Sequence, residues 1–379
     1  MRVPAQPAAR SPTPEEIEAF RRDGVVCLKA VISEEAVAAL RKALCDIFAR
    51  SDVAGRGLRT DMTAAAAMAH AKGDTLLVDT ADGVPLKGAA GGRAAAAAAA
   101  AGRGRYLTEI EGGRWHAGLR HFEHHGPLPA LVAALLRSTT VRFFMDHLFL
   151  KEAGSALRTA FHQDAPYFPF EGEQAAVCWV PVDVVTRDSG AMGYVKGSHR
   201  WAEHSPNTLV SQARTHAHAG TPLPDIEGQE SEFDLVYFNA EPGDVIVHHP
   251  RTVHGSAGNV SHGRRRLAAS IRYTGDDVRW KRKASEMPAR ALASKWSLQR
   301  KQQLAGSRQL FYARHALEYG VRGALRSAGW RAGAFGGYDY ARAAVWSYAE
   351  MRDGEALGAR DCARCAFPIV WPPPLRARL

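Results

Sequence analysis

Short apolar runs separated by turn residues dominate the chain from Val141 to Tyr273. Each run has three to eight residues and is bounded by Gly, Pro or Asp, which is typical of β-strands rather than helices. Strands in such regular succession usually form an antiparallel barrel or sandwich. The predicted strands are Phe143 to Leu150, Ala175 to Val182, Met192 to Val195, Leu235 to Phe238, Val245 to Val247 and Leu267 to Tyr273.

The N-terminal part of the chain shows helical spacing instead. A helix with Thr13 as its N-cap is predicted to end at Asp23-Gly24, and Val25 to Leu28 follow as a short strand. A second helix begins after Ser33. Its apolar residues form one stripe, which favours packing against a sheet: Val37, Leu40, Leu44 and Ile47.

These patterns predict one β domain with helical decoration, residues 13–286. Residues 1–12 are rich in Ala, Pro and Arg and are predicted to be a flexible tail. An alanine-rich insertion at about 51–105 is expected to be poorly ordered or a short helix without a chemical role. Residues 287–350 return to helical spacing as a basic insertion, and residues 351–379 are expected to pack back on the core.

Composition and charge narrow the class of protein. With 379 residues, 46% hydrophobic and 23% charged, the chain can bury a large core, and no apolar stretch is long enough to span a bilayer. The net charge is +10, and residues 278–331 hold thirteen Lys and Arg against two Glu. This basic segment is either a solvated helical face, which we favour, or a contact for a phosphate-bearing ligand or an acidic partner. A nucleic-acid partner is not expected.

The five cysteines and the two termini bear on the compartment. The cysteine count is odd, Cys362 and Cys365 lack a second pair for a zinc site, and the N-terminus lacks a secretory apolar segment. An intracellular, cytoplasmic protein is therefore expected. The final Ala377-Arg378-Leu379 is similar to a peroxisomal address, which makes a peroxisome the alternative.

Three polar residues are candidates for metal ligands. His162 and Asp164 are two positions apart, and alternate residues of a strand share one face, so an imidazole and a carboxylate can converge. His254 follows ninety residues after Asp164, beyond another buried strand. Two His and one carboxylate on one face of iron(II) leave positions for a chelating co-substrate and dioxygen. With sixteen His, about one His-x-Asp is expected by chance, so its context must decide.

A run of arginines follows His254 after a turn rich in Gly and Asn: Arg264, Arg265 and Arg266. A guanidinium binds a carboxylate through two parallel charge-assisted hydrogen bonds, which suits the distal carboxylate of a dicarboxylic acid. Only alternate members of such a run can face inward from a strand. A solvated sheet edge is the competing interpretation.

These motifs together resemble the phytanoyl-CoA dioxygenase family. The similarity extends from Thr13 to about Trp280, except for the alanine-rich insertion, and resumes at Phe367 to Trp371. It is carried in order by the opening helix and strand, His162-Gln163-Asp164, Tyr167-Phe168-Pro169, Gly197-Ser198-His199 and His254-Gly255-Ser256 with Asn259.

The resemblance implies a double-stranded β-helix core of the jelly-roll or cupin type, with His162, Asp164 and His254 as ligands of Fe(II). It also implies 2-oxoglutarate and dioxygen as co-substrates, with ascorbate as a candidate reductant. The family's carboxylate-binding arginine lies eleven residues after the second ligand His, which selects Arg265. Counting back from Arg272-Tyr273 shifts the register by one and keeps Arg266 open.

Other positions are assigned by the same resemblance. Trp179 resembles a tryptophan beside 2-oxoglutarate, and Ser256 is included as a co-substrate contact. Lys151 and Gln163 are either further contacts or structural residues. Two more histidines are expected to have packing or structural roles: His199 and His249.

The implied activity is a 2-oxoglutarate-dependent hydroxylation that releases succinate and carbon dioxide. The substrate is expected to be a small organic molecule or an acyl-CoA thioester. Two alternatives stay open: a non-catalytic β-barrel binding protein and a metal-dependent enzyme without redox chemistry. Both the metal ligands and the arginine are present, which favours the dioxygenase.

Overall fold

Two antiparallel sheets form the centre of this computed structural model. The structure describes residues 6–50, 58–71, 76–79, 85–86, 104–168, 170–207, 209, 221–280 and 369–371. The larger sheet has the strand order β1-β12-β9-β14-β6-β5-β2, with β16 also paired to β6, and the smaller has the order β11-β10-β13-β7. In chain order the strands are β1 (Val25–Leu28), β2 (Leu58–Asp61), β3 (Val78–Asp79), β4 (Pro85–Leu86), β5 (Tyr106–Ile110), β6 (Val141–Lys151), β7 (Thr159–His162), β8 (Phe170–Glu171), β9 (Ala175–Pro181), β10 (Met192–Val195), β11 (Leu235–Tyr237), β12 (Val245–His248), β13 (His254–Ser256), β14 (Arg266–Thr274), β15 (Arg279–Trp280) and β16 (Ile369–Trp371).

The prediction of a mainly β fold with a double-stranded β-helix core and helical decoration is confirmed. Each of the six strands predicted in the β region is present within two residues of its expected bounds. The described α-helices are α1 (Pro14–Asp23), α2 (Glu34–Ala49), α3 (Met62–Ala71), α4 (Ala117–His125) and α5 (Leu128–Leu136). None of the described helices is both long and apolar enough to cross a bilayer.

Alternation along the central strand β14 separates the core from the cavity. Leu267, Ala269, Ile271 and Tyr273 belong to the hydrophobic core that also contains residues of α1, α2, α4 and α5. The intervening Arg266, Ser270 and Arg272 line a cavity that residues of both sheets enclose. The period of two therefore gives one strand an apolar helix-facing side and a polar cavity-facing side.

Helix α1 begins and ends as its sequence predicts. The Thr13 side chain accepts a hydrogen bond from the Glu16 backbone, and the Glu16 side chain accepts one from the Thr13 backbone, which forms a capping box. Gly24 ends the helix with φ of 74°, a conformation that favours glycine. A Cβ atom there would lie 2.3 Å from Nδ1 of His199, so the close packing also requires glycine.

The predicted flexible tail lies against the fold from residue 6 onward. The backbone N–H of Gln6 donates to the carbonyl of His125, and that of Ala9 donates to Val31. The Arg10 guanidinium makes two hydrogen bonds of 2.7 Å to the Glu16 carboxylate. These contacts give residues 6–12 partners that composition alone does not predict.

The described parts of the alanine-rich insertion contribute to the core. Strand β2 extends the larger sheet, and Met62 and Leu76 are buried in a hydrophobic cluster beside the cavity. The carboxylate of Asp79 accepts a hydrogen bond of 2.9 Å from the buried Arg158. The expectation was poor order or a short helix without a chemical role; a short helix, α3 (Met62–Ala71), is present, and these buried residues add packing that composition did not predict.

Several predictions concern residues outside the described ranges. The helical insertion 287–350 lies outside them entirely, as do Cys362, Cys365 and the C-terminal tripeptide. Of the basic segment 278–331, only residues 278–280 are described. From the segment 351–379, Ile369–Trp371 forms β16, which pairs antiparallel with the start of β6.

Candidate functional site

The two predicted histidine ligands face each other across a strand pair. His162 is the last residue of β7 and pairs in register with His254, the first residue of β13. Their ring centroids are 4.3 Å apart, and both side chains are buried. The pairing of two strands therefore brings together residues that are far apart in the sequence.

Strand alternation predicted that Asp164 would lie on the same strand as His162. Asp164 instead reaches the same point from a turn that follows the strand. Strand β7 ends at His162, and Asp164 has φ of −75° and ψ of −34° at the start of a 3₁₀ turn. The turn is fixed because the backbone N–H groups of Asp164 and Ala165 both donate to the carbonyl of Pro250, at 2.8 and 2.9 Å. Contacts with a distant loop thus position the carboxylate.

The imidazole tautomers leave Nε2 of both histidines available as metal ligands. Nδ1 of His162 lies 2.8 Å from the carbonyl of Ala160, and Nδ1 of His254 lies 2.9 Å from the carbonyl of Thr252. A carbonyl oxygen can only accept a hydrogen bond, so each Nδ1 carries the proton. Nε2 then has a lone pair, and its direction is fixed by the hydrogen bond at the other nitrogen.

The site favours the protonation states that metal binding requires. Burial, followed by the proximity of His162, lowers the pKa of His254 to about 4, so its ring is neutral at pH 7. Burial by itself would raise the pKa of Asp164, but the opposing influences, led by the positive charge of Arg272, outweigh it. The pKa of Asp164 is held well below its usual range, so this residue is a carboxylate.

The donor set fits a divalent transition metal. One ligand atom each from His162, Asp164 and His254 can be chosen so that all three lie within 4.8 Å of one another. Oδ1 of Asp164 lies 3.5 Å from Nε2 of His162 and 3.9 Å from Nε2 of His254. Imidazole suits iron among other transition metals, and two imidazoles with one carboxylate form the set that non-haem iron(II) oxygenases use.

A cavity that is partly open to solvent lies beside these residues. Its walls combine polar and apolar side chains from both sheets and from α3: Met62, Tyr106, Thr108, His147, Phe149, Thr159, His162, Asp164, Trp179, Met192, Leu209, His248, His254, Ser256, Arg266, Ser270 and Arg272.

The arginine that enters the cavity is Arg266, not Arg265. The side chain of Arg265 is 49% exposed, and its guanidinium contacts Cys45 and lies 3.7 Å from Asp183. Strand β14 begins at Arg266, and the alternation of its side chains turns this residue inward. Of the two arginines left open by the sequence, the structure therefore places Arg266, the alternative from counting back along β14, in the cavity and Arg265 outside it.

Arg266 carries hydrogen-bond donors that the protein does not use. It is 1% exposed, and its Nε and Nη2 atoms have no hydrogen-bond partner among the described residues. A buried guanidinium with unsatisfied donors costs free energy unless a ligand supplies acceptors. A carboxylate has the matching planar geometry, so these donors fit one end of 2-oxoglutarate.

Trp179, which the resemblance places beside 2-oxoglutarate, lines the cavity. It lies on β9 with its indole 5.4 Å from the Arg266 guanidinium carbon. The indole N–H is buried without a hydrogen-bond partner among the described residues. It is therefore a second unused donor near Arg266.

Lys151 and Ser256 use their polar groups within the protein. Nζ of Lys151 donates to the carbonyls of Leu157 and Ala257 and to the hydroxyl of Ser256, at 2.7 to 2.9 Å. The Ser256 hydroxyl in turn donates to Thr159 at 2.9 Å. Ser256 lines the cavity, but Lys151 does not, and its three donors leave none for a co-substrate.

Gln163 and His249 also have positions away from the cavity. The Gln163 amide donates to the carbonyls of Ala202 and Arg251, and its oxygen accepts the backbone N–H of His204. His249 lies near Glu173, with its Nε2 at 3.9 Å from the carboxylate. The polar atoms of the Gln163 amide are therefore hydrogen-bonded to backbone groups of the protein, which fits the structural alternative for this residue.

Other cavity residues were not singled out from the sequence, namely Tyr106, His147, His248, Ser270 and Arg272. A signal for two of them exists in the alternation of their strands. Val245 and Val247 of β12 belong to the core. Because side chains alternate along a strand, His248 points to the opposite face of β12, towards the cavity. Arg272 shares the cavity side of β14 with Arg266. His147 lies directly opposite Ser270 on the neighbouring strand β6, a pairing that the sequence does not reveal.

Comparison with known proteins identifies the family of this chain. A family model described as phytanoyl-CoA dioxygenase matches residues 20–267. A probable phytanoyl-CoA dioxygenase of Caenorhabditis elegans is 29% identical over 124 residues, which are 32% of this chain and 38% of that protein. The 1-deoxypentalenic acid 11-beta-hydroxylase of Streptomyces arenae is 29% identical over 127 residues, 34% of this chain and 43% of the hydroxylase. These alignments span about two fifths of the relatives' length.

The crystal structure of SnoN, a non-heme alpha ketoglutarate dependent epimerase from nogalamycin biosynthesis, is 22% identical with a TM-score of 0.49. The superposition covers 72% of this chain and 86% of SnoN.

Proposed function

The chain belongs to the phytanoyl-CoA dioxygenase family, and from this premise we propose that it is an iron(II)- and 2-oxoglutarate-dependent dioxygenase that hydroxylates a small organic substrate. The observation that carries the proposal is the convergence of three ligand atoms on one side of a cavity that also contains a buried arginine with unused donors. A binding protein without catalysis has no need for both features.

Each residue of the site has a defined role in this proposal. His162, His254 and Asp164 hold the metal through two Nε2 atoms and one carboxylate oxygen. Arg266 binds the distal carboxylate of 2-oxoglutarate, and the Trp179 indole N–H donates to the same co-substrate. Bound iron and 2-oxoglutarate supply the oxidising chemistry, in which dioxygen is consumed and succinate and carbon dioxide are released. The surrounding chain positions these groups and limits the access of water.

The substrate class follows from the cavity and from the relatives. Apolar walls formed by Met62, Phe149 and Leu209 lie beside polar groups, which suits an organic molecule with a hydrocarbon part. One named relative is a 1-deoxypentalenic acid 11-beta-hydroxylase, and another is a probable phytanoyl-CoA dioxygenase. We therefore propose a hydrophobic organic acid or its thioester as substrate, with ascorbate as a supporting reductant in the assay.

Oxygen consumption with and without 2-oxoglutarate tests the proposed reaction. Metal-free protein is loaded anaerobically with Fe(II), and oxygen uptake and succinate are then measured with a panel of acids and thioesters. We expect 2-oxoglutarate-dependent uptake with equal amounts of succinate. No uptake under any condition would indicate a binding protein, and turnover of a substrate that does not depend on 2-oxoglutarate would indicate another metal-dependent enzyme.

Asp164→Ala is expected to reduce succinate formation to background, including the slow formation without substrate, because a metal ligand is lost. Asp234→Ala is the matched control, since this carboxylate is 69% exposed and pairs with Lys196 away from the cavity. Succinate is quantified for both variants under identical metal loading. Activity retained in Asp164→Ala contradicts the assignment of the ligand.

A further inference from the structure

The two carboxylate oxygens of Asp164 face different partners. Oδ1 points towards the Nε2 atoms of His162 and His254, at 3.5 and 3.9 Å. Oδ2 lies 3.4 Å from Nη2 of Arg272 and 4.0 Å from Nε2 of His248. One oxygen therefore faces the metal-ligand atoms, while the other faces a cation of the chain itself.

Arg272 is a buried residue of β14 that lies beside this carboxylate. Its side chain is 5% exposed, and its guanidinium carbon lies 5.4 Å from the centre of the Phe168 ring. Backbone pairing fixes β14 on both sides, with Arg272 opposite Val177 of β9 and Met145 of β6. A guanidinium stays protonated in proteins, so Arg272 presents a permanent positive charge to Oδ2.

We propose that Arg272 is a positioning residue that holds Oδ2 of Asp164 and so presents Oδ1 alone to the metal. This inference rests on the proposed metal site. A carboxylate bound through one oxygen occupies a single coordination position, whereas binding through both would occupy a position that the co-substrate or dioxygen needs. Groups that hydrogen-bond to metal ligands commonly orient them in this way.

Two effects of Arg272 on metal binding have opposite signs. Its charge repels a divalent cation, so a pure charge effect would make the metal bind more tightly when the arginine is removed. Its hydrogen bond orients Asp164, so a positioning effect would make the metal bind more weakly. The contact of Arg272 with the oxygen that faces away from the two ligand imidazoles favours the second effect, and the two effects are separable by experiment.

Titration of the metal-free protein with Co²⁺, without 2-oxoglutarate, measures this difference independently of turnover. We expect Arg272→Gln to weaken Co²⁺ binding by roughly 10- to 100-fold, the range typical for partners of metal ligands. The visible spectrum of bound Co²⁺ should also change, because both oxygens of Asp164 can then coordinate. Arg272→Lys keeps the charge but not the planar fork, and its affinity should lie between those of Arg272→Gln and the unsubstituted protein.

Controls separate the failure of this inference from failure of the metal site. Arg264→Gln removes a 51% exposed arginine that pairs with Asp188, and should bind Co²⁺ like the unsubstituted protein. If Asp164→Ala binds Co²⁺ normally, the metal site itself is wrong. If Asp164→Ala fails to bind but Arg272→Gln binds with unchanged or higher affinity and an unchanged spectrum, the positioning role is refuted while the metal site stands.

Folding of each variant is checked by circular dichroism and thermal unfolding of the metal-free form. Should Arg272→Gln not fold, Arg272→Lys decides the question. An unchanged Co²⁺ affinity and spectrum in a folded Arg272→Lys protein would overturn the proposal. A lower affinity together with a changed spectrum would support it.

Discussion

The metal end and the arginine end of the cavity use their polar atoms differently. At the metal end, Nδ1 of His162 and of His254 each donate to a carbonyl, and Oδ2 of Asp164 accepts from Arg272, so only the atoms that face one another are left for a ligand. At the other end, the Nε and Nη2 donors of Arg266 have no hydrogen-bond partner within the described part of the chain.

This difference indicates how the two ends function. The metal end is preorganised by hydrogen bonds of the protein, which reduces the cost of ordering the ligands when a cation binds. The arginine end is incomplete without an acceptor, so the binding of a carboxylate there removes a penalty that the folded protein otherwise carries. Substitutions at the arginine end should therefore change co-substrate affinity more than they change the fold.

The largest effect is expected when the arginine end is removed. Arg266→Met should weaken 2-oxoglutarate binding by about 2 kcal/mol or more, roughly 30-fold or more in Kd, because a buried charge partner of a carboxylate is lost. Anaerobic titration of the Mn²⁺-loaded protein with 2-oxoglutarate measures this change. Mn²⁺ affinity should be little altered, because Arg266 contacts none of the proposed ligands in the described hydrogen bonds.

Arg265→Met is the control for this prediction, since it removes the adjacent arginine, which is 49% exposed. Its affinity for 2-oxoglutarate should match that of the unsubstituted protein. A large loss of affinity in Arg265→Met with none in Arg266→Met would reverse the assignment and favour the original count from His254.

The sequence singled out each of the three residues that converge at the proposed metal end, but at the arginine end it selected Arg265 and left Arg266 open. His162, Asp164 and His254 belong to short motifs whose spacing is fixed by one strand pair and one turn. The position of the arginine depends on where β14 begins after a turn of several residues, and a shift of one residue reverses every side chain of a strand. Strand β14 begins at Arg266, and nothing in three consecutive arginines marks that start.

The fold shows the same division between local and distant determinants. Caps and alternation predicted α1, α2 and the central strands, because these signals lie within each element. Helices α4 and α5 and strand β5 were not predicted, and the turn at Asp164 is fixed by the carbonyl of Pro250, eighty-six residues away. Tertiary contacts of this kind leave no short-range pattern in the sequence.

Lys151 tests the difference between used and unused hydrogen-bond donors, because it lies directly opposite Arg266 on the neighbouring strand β6. Its three donors are used by Leu157, Ser256 and Ala257, so it belongs with the structural hydrogen bonds and not with the unused donors. Lys151→Met should lower the free energy of unfolding by about 1–3 kcal/mol, because buried acceptors lose their donor. Denaturant unfolding of the metal-free protein measures the loss.

Affinity of Lys151→Met for 2-oxoglutarate should remain close to that of the unsubstituted protein wherever the variant is folded. Lys196→Met is the matched control, since Lys196 pairs with an exposed Asp234 and should change stability by less than about 0.5 kcal/mol. Unchanged stability with a strong loss of 2-oxoglutarate affinity would instead place Lys151 among the co-substrate contacts.

The smallest expected effect concerns the indole N–H of Trp179, which is buried and has no hydrogen-bond partner among the described residues. Trp179→Phe keeps an aromatic ring near Arg266 but removes this donor, so 2-oxoglutarate should bind about 0.5–1.5 kcal/mol more weakly, which is the usual contribution of one hydrogen bond. The same anaerobic titration detects this as a change of roughly 2- to 10-fold in Kd.

Trp201→Phe is the control, because that indole packs near Phe233 and His204 and does not line the cavity. Equal affinities of the two variants for 2-oxoglutarate would show that the Trp179 N–H does not bind the co-substrate and that Arg266 alone does so at this end. A selective loss in Trp179→Phe would show that the co-substrate extends across the floor of the cavity from Arg266 to the indole.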